Sequence, residues 1–108
     1  MVDETDQKSP LQRIRIHLFL EGEVQGVFLR SMIRNKAQLL HVRGWVRNLA
    51  NNKVEALFEG DRDDVEELVT FCRAGPGAAA IDKSTMEEEP YRGEFSDFEI
   101  RTENYLDE

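Results

Sequence analysis

Glu21-Gly22-Glu23-Val24-Gln25-Gly26-Val27-Phe28-Leu29-Arg30 is the stretch on which the fold turns. Upstream of it, Ile14, Ile16, Leu18 and Leu20 alternate with Arg13, Arg15, His17 and Phe19, the two-residue period of a strand with one buried face. Downstream, Leu29, Met32, Ile33, Ala37 and Leu40 recur at steps of three and four, the period of an amphipathic helix. The stretch is therefore a short strand-to-helix loop with glycines at 22 and 26 and arginine at its far end. The first N–H groups of a helix lack intrahelical partners and carry the positive end of its dipole. A loop that turns further amides toward the same point suits an anion, and phosphate above all.

Working outward, the first strand runs over about 13–21 and the first helix over about 28–41. His41 stands at the helix stop, before Val42-Arg43-Gly44. Either it takes a left-handed conformation, at about 1–2 kcal/mol, or the helix ends differently. A second strand over about 42–48 puts Val42, Val46 and Asn48 on one face and Arg43, Trp45 and Arg47 on the other. Leu49-Ala50-Asn51-Asn52 is a hairpin turn, since asparagine tolerates positive φ. The third strand, about 53–59, buries Val54, Ala56 and Phe58. Gly60 ends it, and Asp61 caps a second helix over about 62–73, with Val65, Leu68, Val69 and Cys72 on one stripe. Gly75-Pro76-Gly77 stops that helix. A fourth strand is expected over about 80–86, a break at Glu87-Glu88-Glu89-Pro90, and a fifth strand over about 95–102. The order strand, helix, strand, strand, helix, strand predicts an α+β, ferredoxin-like βαββαβ sandwich. Two helices pack on one face of a mainly antiparallel sheet, and the other face is partly solvated. Residues 1–11 read as a disordered lead-in, 12–102 as the domain and 103–108 as an acidic tail.

The chain has 108 residues and a formal net charge of -8, which argues against a nucleic-acid partner. An anionic substrate must be attracted by local cations, which draws attention to Arg30, Arg34, Arg43 and Arg47. The single cysteine, Cys72, allows no intrachain disulfide. No apolar run approaches the roughly 18–20 residues that span a bilayer, and the amino terminus lacks the features of a secretion signal. A cytoplasmic monomer without a membrane partner is expected. Cys72 reads as a core residue, and His17 and His41 are too isolated for a metal set or a Cys–His pair. The acidic runs at 61–67 and 87–89 read as a helix start and a solvated loop.

On the residues alone, Arg30 is either a surface arginine or a guanidinium clamping two phosphate oxygens. Asn48 is either a turn residue or an amide that holds a water while leaving its oxygen free to attack. Gly26 is the position most suited to a conformation that glycine alone adopts cheaply.

Gly22-Glu23-Val24-Gln25-Gly26-Val27-Phe28-Leu29-Arg30 resembles the G-x-V-Q-G-V-x-F-R signature of the acylphosphatase family, and Gly44-Trp45-Val46-Arg47-Asn48 matches that family's G-W-V-R-N. Both occur in the right order, a helix-length apart. The resemblance covers about 14–101 and departs at Leu29 for phenylalanine, at Ile33 for threonine, at His41 for glycine and at Asn51-Asn52 for Asp-Gly. It implies the fold above with an additional short carboxy-terminal strand. It also implies hydrolysis of the carboxyl–phosphate bond of an acyl phosphate by direct water attack. Arg30 and Asn48 would be catalytic, and the backbone amides of Val24, Gln25, Gly26, Val27, Phe28, Leu29 and Arg30 would bind phosphate. No metal or cofactor is expected, because Arg30 and the amides supply the positive field. Inorganic phosphate is the expected product and inhibitor. The alternative is a catalytically silent phosphate-binding module of the same fold, a reading that Leu29 and Ile33 favour.

Overall fold

Strand β1 (Arg13–Glu23) lies inside a five-stranded sheet in the computed structural model, which describes residues 12–102. The lead-in expected over 1–11 and the tail expected over 103–108 lie outside the described residues. β1 pairs antiparallel with β3 (Lys53–Asp61) on one side and with β4 (Ala80–Glu89) on the other. β2 (Arg43–Leu49) pairs antiparallel with β3, and the short β5 (Phe98–Ile100) joins β2 in parallel. The resulting order is β4-β1-β3-β2-β5, the ferredoxin-like arrangement with one strand added.

Helices α1 (Leu29–Leu39) and α2 (Arg62–Arg73) cover one face. The core forms where the two periods meet. Ile14, Ile16, Leu18 and Leu20 from β1, and Val54, Ala56 and Phe58 from β3, pack against Leu29, Ile33 and Ala37 of α1 and Val65, Leu68, Val69 and Cys72 of α2. Each fully buried side chain of this size stabilises the fold by about 1.5–3 kcal/mol. Phe98 closes one end, its ring 5.8 Å from that of Phe58. Burial pushes the Cys72 thiol pKa far above its ordinary value, so the sulfur behaves as an inert apolar group.

α1 stops as the left-handed alternative foresaw. His41 has φ 58°, its N–H donates to the Gln38 carbonyl at 3.2 Å, and the Val42 N–H donates to Ala37 at 2.9 Å. That pair of bonds is a Schellman stop with histidine in glycine's usual place. Asn51 (φ 66°) and Asn52 (φ 58°) both use the conformation expected of the hairpin.

Several expectations are corrected. Glu87-Glu88-Glu89 is no break: β4 continues to Glu89, because these residues face His17, Ile16 and Arg15 across the ladder. Glu89 there accepts hydrogen bonds from the Arg15 Nε at 3.0 Å and contacts the His17 Nδ1 at 3.1 Å. β5 is only three residues long, since the segment before it is used differently. Residues 92–94 donate three backbone N–H bonds to Glu59, at 2.8, 3.2 and 3.1 Å, which straps this segment across the helix-free face. Asp61 occupies the N-cap of α2 but makes no side-chain cap, because its carboxylate pairs with Arg13 at 3.3 Å.

The helix-free face is accordingly less solvated than expected. Arg15, Glu55 and Glu59 are all buried on it. Arg15 bonds Glu59 at 3.1 Å and Glu94 at 2.7 Å; Glu55 meets His17 at 2.6 Å and Arg47 at 2.7 Å. Trp45 lies between the Arg47 and Arg101 guanidiniums, 5.5 and 4.8 Å from its ring centre. Burial pushes the Glu59 carboxyl pKa up, but the strap amides and the Arg15 guanidinium outweigh it and hold it below its ordinary value.

Candidate active site

Register brings the two signature segments together. Val54 of β3 pairs with Leu20 of β1 on one side and Asn48 of β2 on the other, so Asn48 is level with Leu20. The chain leaves β1 at Glu23 and loops toward α1 over this end of the sheet. The Gln25 side chain ties the loop down: its Nε2 donates to the Leu49 carbonyl at 2.6 Å and the Lys53 carbonyl at 3.0 Å. Gln25 therefore links the loop to the hairpin that carries Asn48, a role its side chain was not expected to have.

Within the loop, Gly26 (φ 73°) and Phe28 (φ 59°) are left-handed and Val27 between them is not. Alternation of hand along successive residues makes their N–H groups converge. A Cβ on Gly26 would meet nothing within 4 Å, so conformation, not space, calls for glycine there. Gly44, in the second signature, is the opposite case: a Cβ would sit 1.8 Å from the Leu57 carbonyl oxygen of β3. Close strand approach requires it.

Among the described residues, the amides of 25–29 donate to no backbone carbonyl. Phe28 is the N-cap of α1 without a side-chain cap, and the helix has no acidic residue in its first turn. These donors, the dipole and the Arg30 cation are thus gathered at one helix end, where each would be stabilised by an anion. The Val24 amide differs from these: it donates to the Gly22 carbonyl at 2.9 Å, although Val24 also lines the site.

A pocket of about 250 Å³ lies at this junction. Val24, Gly26, Phe28, Leu29, Arg30 and Ser31 line it from the loop and first helical turn, with Asn48 from β2 and Ile100 from β5. The Asn48 Oδ1 is buried and has no hydrogen-bond partner among the described residues. Buried acceptors are almost always paired, so this oxygen calls for a partner supplied from the pocket that Asn48 lines. The volume lies just below the ~300–1,000 Å³ usual for drug-sized ligands, which suits a small anion with a short organic arm.

Arg30 and Asn48, expected to face one guest, line one pocket. Arg34, Arg43 and Arg47 do not join them. Arg34 bonds Asn35 at 3.2 Å, Arg47 pairs with Glu55 on the opposite sheet face, and Arg43 borders a different cavity beside Arg13 and Tyr91. Strand alternation separates Arg43 and Arg47 from Asn48, so their nearness in sequence misleads. Ile33 is fully buried in the core. Sequence reasoning missed Ser31 and Ile100. Ser31 follows Arg30 in the first helical turn and was open to inference; Ile100 reaches the site only through the parallel pairing of β5. No group of three or more His, Cys, Asp or Glu among the described residues is arranged to hold a metal.

The profile of the acylphosphatase family matches residues 16–100. The chain is 49% identical to an acylphosphatase of Syntrophus aciditrophicus over 80% of its own length and 90% of the relative's. It is 47% identical to one from Pelotomaculum thermopropionicum, over 83% of this chain and 98% of the other. The solved structure of an acylphosphatase from Coxiella burnetii superposes with a TM-score of 0.79 at 37% identity, covering 84% of this chain and 95% of that one. With both signatures folded onto one pocket and relatives matched along nearly their whole length, this chain belongs to the acylphosphatase family, hydrolases acting on phosphorus-containing acid anhydrides.

Proposed function

We propose that the pocket between the loop and β2 hydrolyses the carboxyl–phosphate bond of an acyl phosphate by direct attack of water. The amides of residues 25–29 and the Arg30 guanidinium hold the three non-bridging phosphoryl oxygens. They also stabilise the charge that spreads over those oxygens in the transition state. The Asn48 Oδ1 accepts a hydrogen bond from the water and orients its oxygen in line with the leaving group. A new P–O bond forms to that oxygen as the P–O bond to the acyl group breaks. The carboxylate departs with the bonding pair, and the water's proton ends on the phosphate. A carboxylate leaves readily, so no strong general acid is required.

One observation carries this reading: Asn48, whose Oδ1 has no partner among the described residues, lines the same pocket as Gly26, Phe28 and Leu29, whose amides donate to no backbone carbonyl among those residues. The polypeptide that builds it is a single chain, so a monomer suffices. Among the described residues no helix is long and apolar enough to cross a membrane. Together with a lone, buried thiol, this supports a cytoplasmic setting. Inorganic phosphate, the product, should occupy the same cradle, inhibit competitively and raise the melting temperature by mass action.

The test is acetyl phosphate hydrolysis, with and without chelator, by the wild type and by Arg30→Ala. The variant should lose about 10²–10⁴-fold in kcat/KM, mainly through weaker phosphate binding. Wild-type-like turnover by the variant would refute the role of Arg30. No turnover by the wild type, with phosphate still raising the melting temperature, would identify a silent anion-binding module.

A further inference from the structure

Phe28 is the most exposed of the large apolar side chains among the described residues, at 82%, and it holds a left-handed backbone at the N-cap of α1. Single apolar side chains on a surface are ordinary. One held in an unfavourable conformation at the wall of an anion pocket, with no part in the core, is not explained by packing. The pocket itself has two kinds of lining. Arg30, Ser31, Asn48 and the Gly26 backbone are polar; Val24, Leu29, Ile100 and Phe28 are apolar.

An acyl phosphate has the same two halves. With its phosphoryl group in the amide cradle, the reading on which this inference rests, the acyl arm must run along the apolar lining toward solvent. Phe28 is the apolar residue there with most of its surface still available. We propose that Phe28 is a specificity-determining residue that covers the acyl group and favours acyl phosphates with an aromatic or branched apolar acyl arm. The net charge of -8 adds to this by disfavouring acyl arms that carry a further negative charge. A ring laid against an apolar arm removes surface of both from water, an effect of about 3- to 30-fold in kcat/KM.

The experiment measures kcat/KM for benzoyl phosphate and acetyl phosphate in the wild type, Phe28→Asn, Phe28→Gly and Phe28→Tyr, with the inhibition constant for inorganic phosphate in each. Asparagine and glycine accept the left-handed backbone, so they remove the ring without demanding a new loop path. Tyrosine keeps the ring. The benzoyl-to-acetyl ratio should fall about 3- to 30-fold in the asparagine and glycine variants, chiefly through the benzoyl phosphate KM. It should stay within about twofold in the tyrosine variant. An unchanged ratio in the asparagine and glycine variants, with both substrates turned over, overturns the role of Phe28 and leaves the cradle standing. Equal losses on both substrates, with weaker phosphate inhibition, also overturn it, since the ring would then act only through the loop. A wild type that hydrolyses neither substrate overturns the cradle reading and this one together.

Discussion

Asn48→Ala separates a working residue from a structural one, because only the structural role ties the side chain to the rest of the fold. Among the described residues the Asn48 Oδ1 has no hydrogen-bond partner, and Asn48 lines a pocket from which water can satisfy it. Truncation therefore removes packed atoms without breaking a bond to that oxygen within the fold, a loss of about 1 kcal/mol. The net change in unfolding free energy should stay within about 1 kcal/mol of zero. A hairpin-capping asparagine would lose about 0.5–1.5 kcal/mol more when truncated. Catalysis takes the larger loss. Losing the group that orients the water should lower kcat by about 10²–10⁴-fold, or about 3–5 kcal/mol of transition-state stabilisation. KM should change little, since Arg30 and the amides still hold the phosphate. Steady-state acetyl phosphate hydrolysis and urea unfolding on one preparation read both quantities. A variant with kcat within about threefold of wild type would refute the argument, as would one that loses more than about 1 kcal/mol of stability.

Three further outcomes follow from the geometry. Gln25→Ala removes both bonds that tie the loop to the β2–β3 hairpin, so phosphate inhibition should weaken and kcat/KM fall about 10-fold or more; unchanged kinetics would show that the loop holds its shape alone. His41→Gly relieves a left-handed histidine worth about 1–2 kcal/mol and returns about 0.5–1 kcal/mol to the unfolded chain, so calorimetry should show a melting temperature higher by roughly 5 °C. The Glu59 pKa lies below its ordinary value of 4.5, so its contribution is fully present above that value and is lost as pH falls through the lower folded one. Glu59→Gln should cost about 2–4 kcal/mol at pH 7 and flatten that acid limb in pH-dependent unfolding; an unchanged limb would assign acid unfolding to other carboxylates.

Much of this was legible in the sequence because it depends on local periods. The alternation from Ile14 to Leu20, and the three-four spacing from Leu29 to Ala37, are set by which residues leave water, and the core uses those residues apart from Met32. Arg30 and Asn48 were legible through two signatures, and Gly26 through its expected hand. What stayed hidden depends on partners distant in the chain. Glu87-Glu88-Glu89 looks like a solvated loop until Arg15 and His17 are set opposite it. The side-chain role of Gln25 exists only once the Leu49 and Lys53 carbonyls are in place. The Val24 amide is consumed by a two-residue turn that no pattern of side chains reveals. Phe28 breaks the preference of its own backbone, which reading by propensity cannot foresee.

The pairing of β1 has a consequence for how the molecule comes into being. The strand that leads into the loop is flanked by β3 and β4, and Arg15 meets Glu89 across a separation of 74 residues. During synthesis both signature segments emerge before β4, so their supporting strand keeps one bare edge until β4 has left the ribosome. Closing so long a loop makes folding slow for a domain of this size. A nascent chain halted before β4 should display a sticky strand edge to chaperones and to its neighbours, with both signatures already made and no competent site between them.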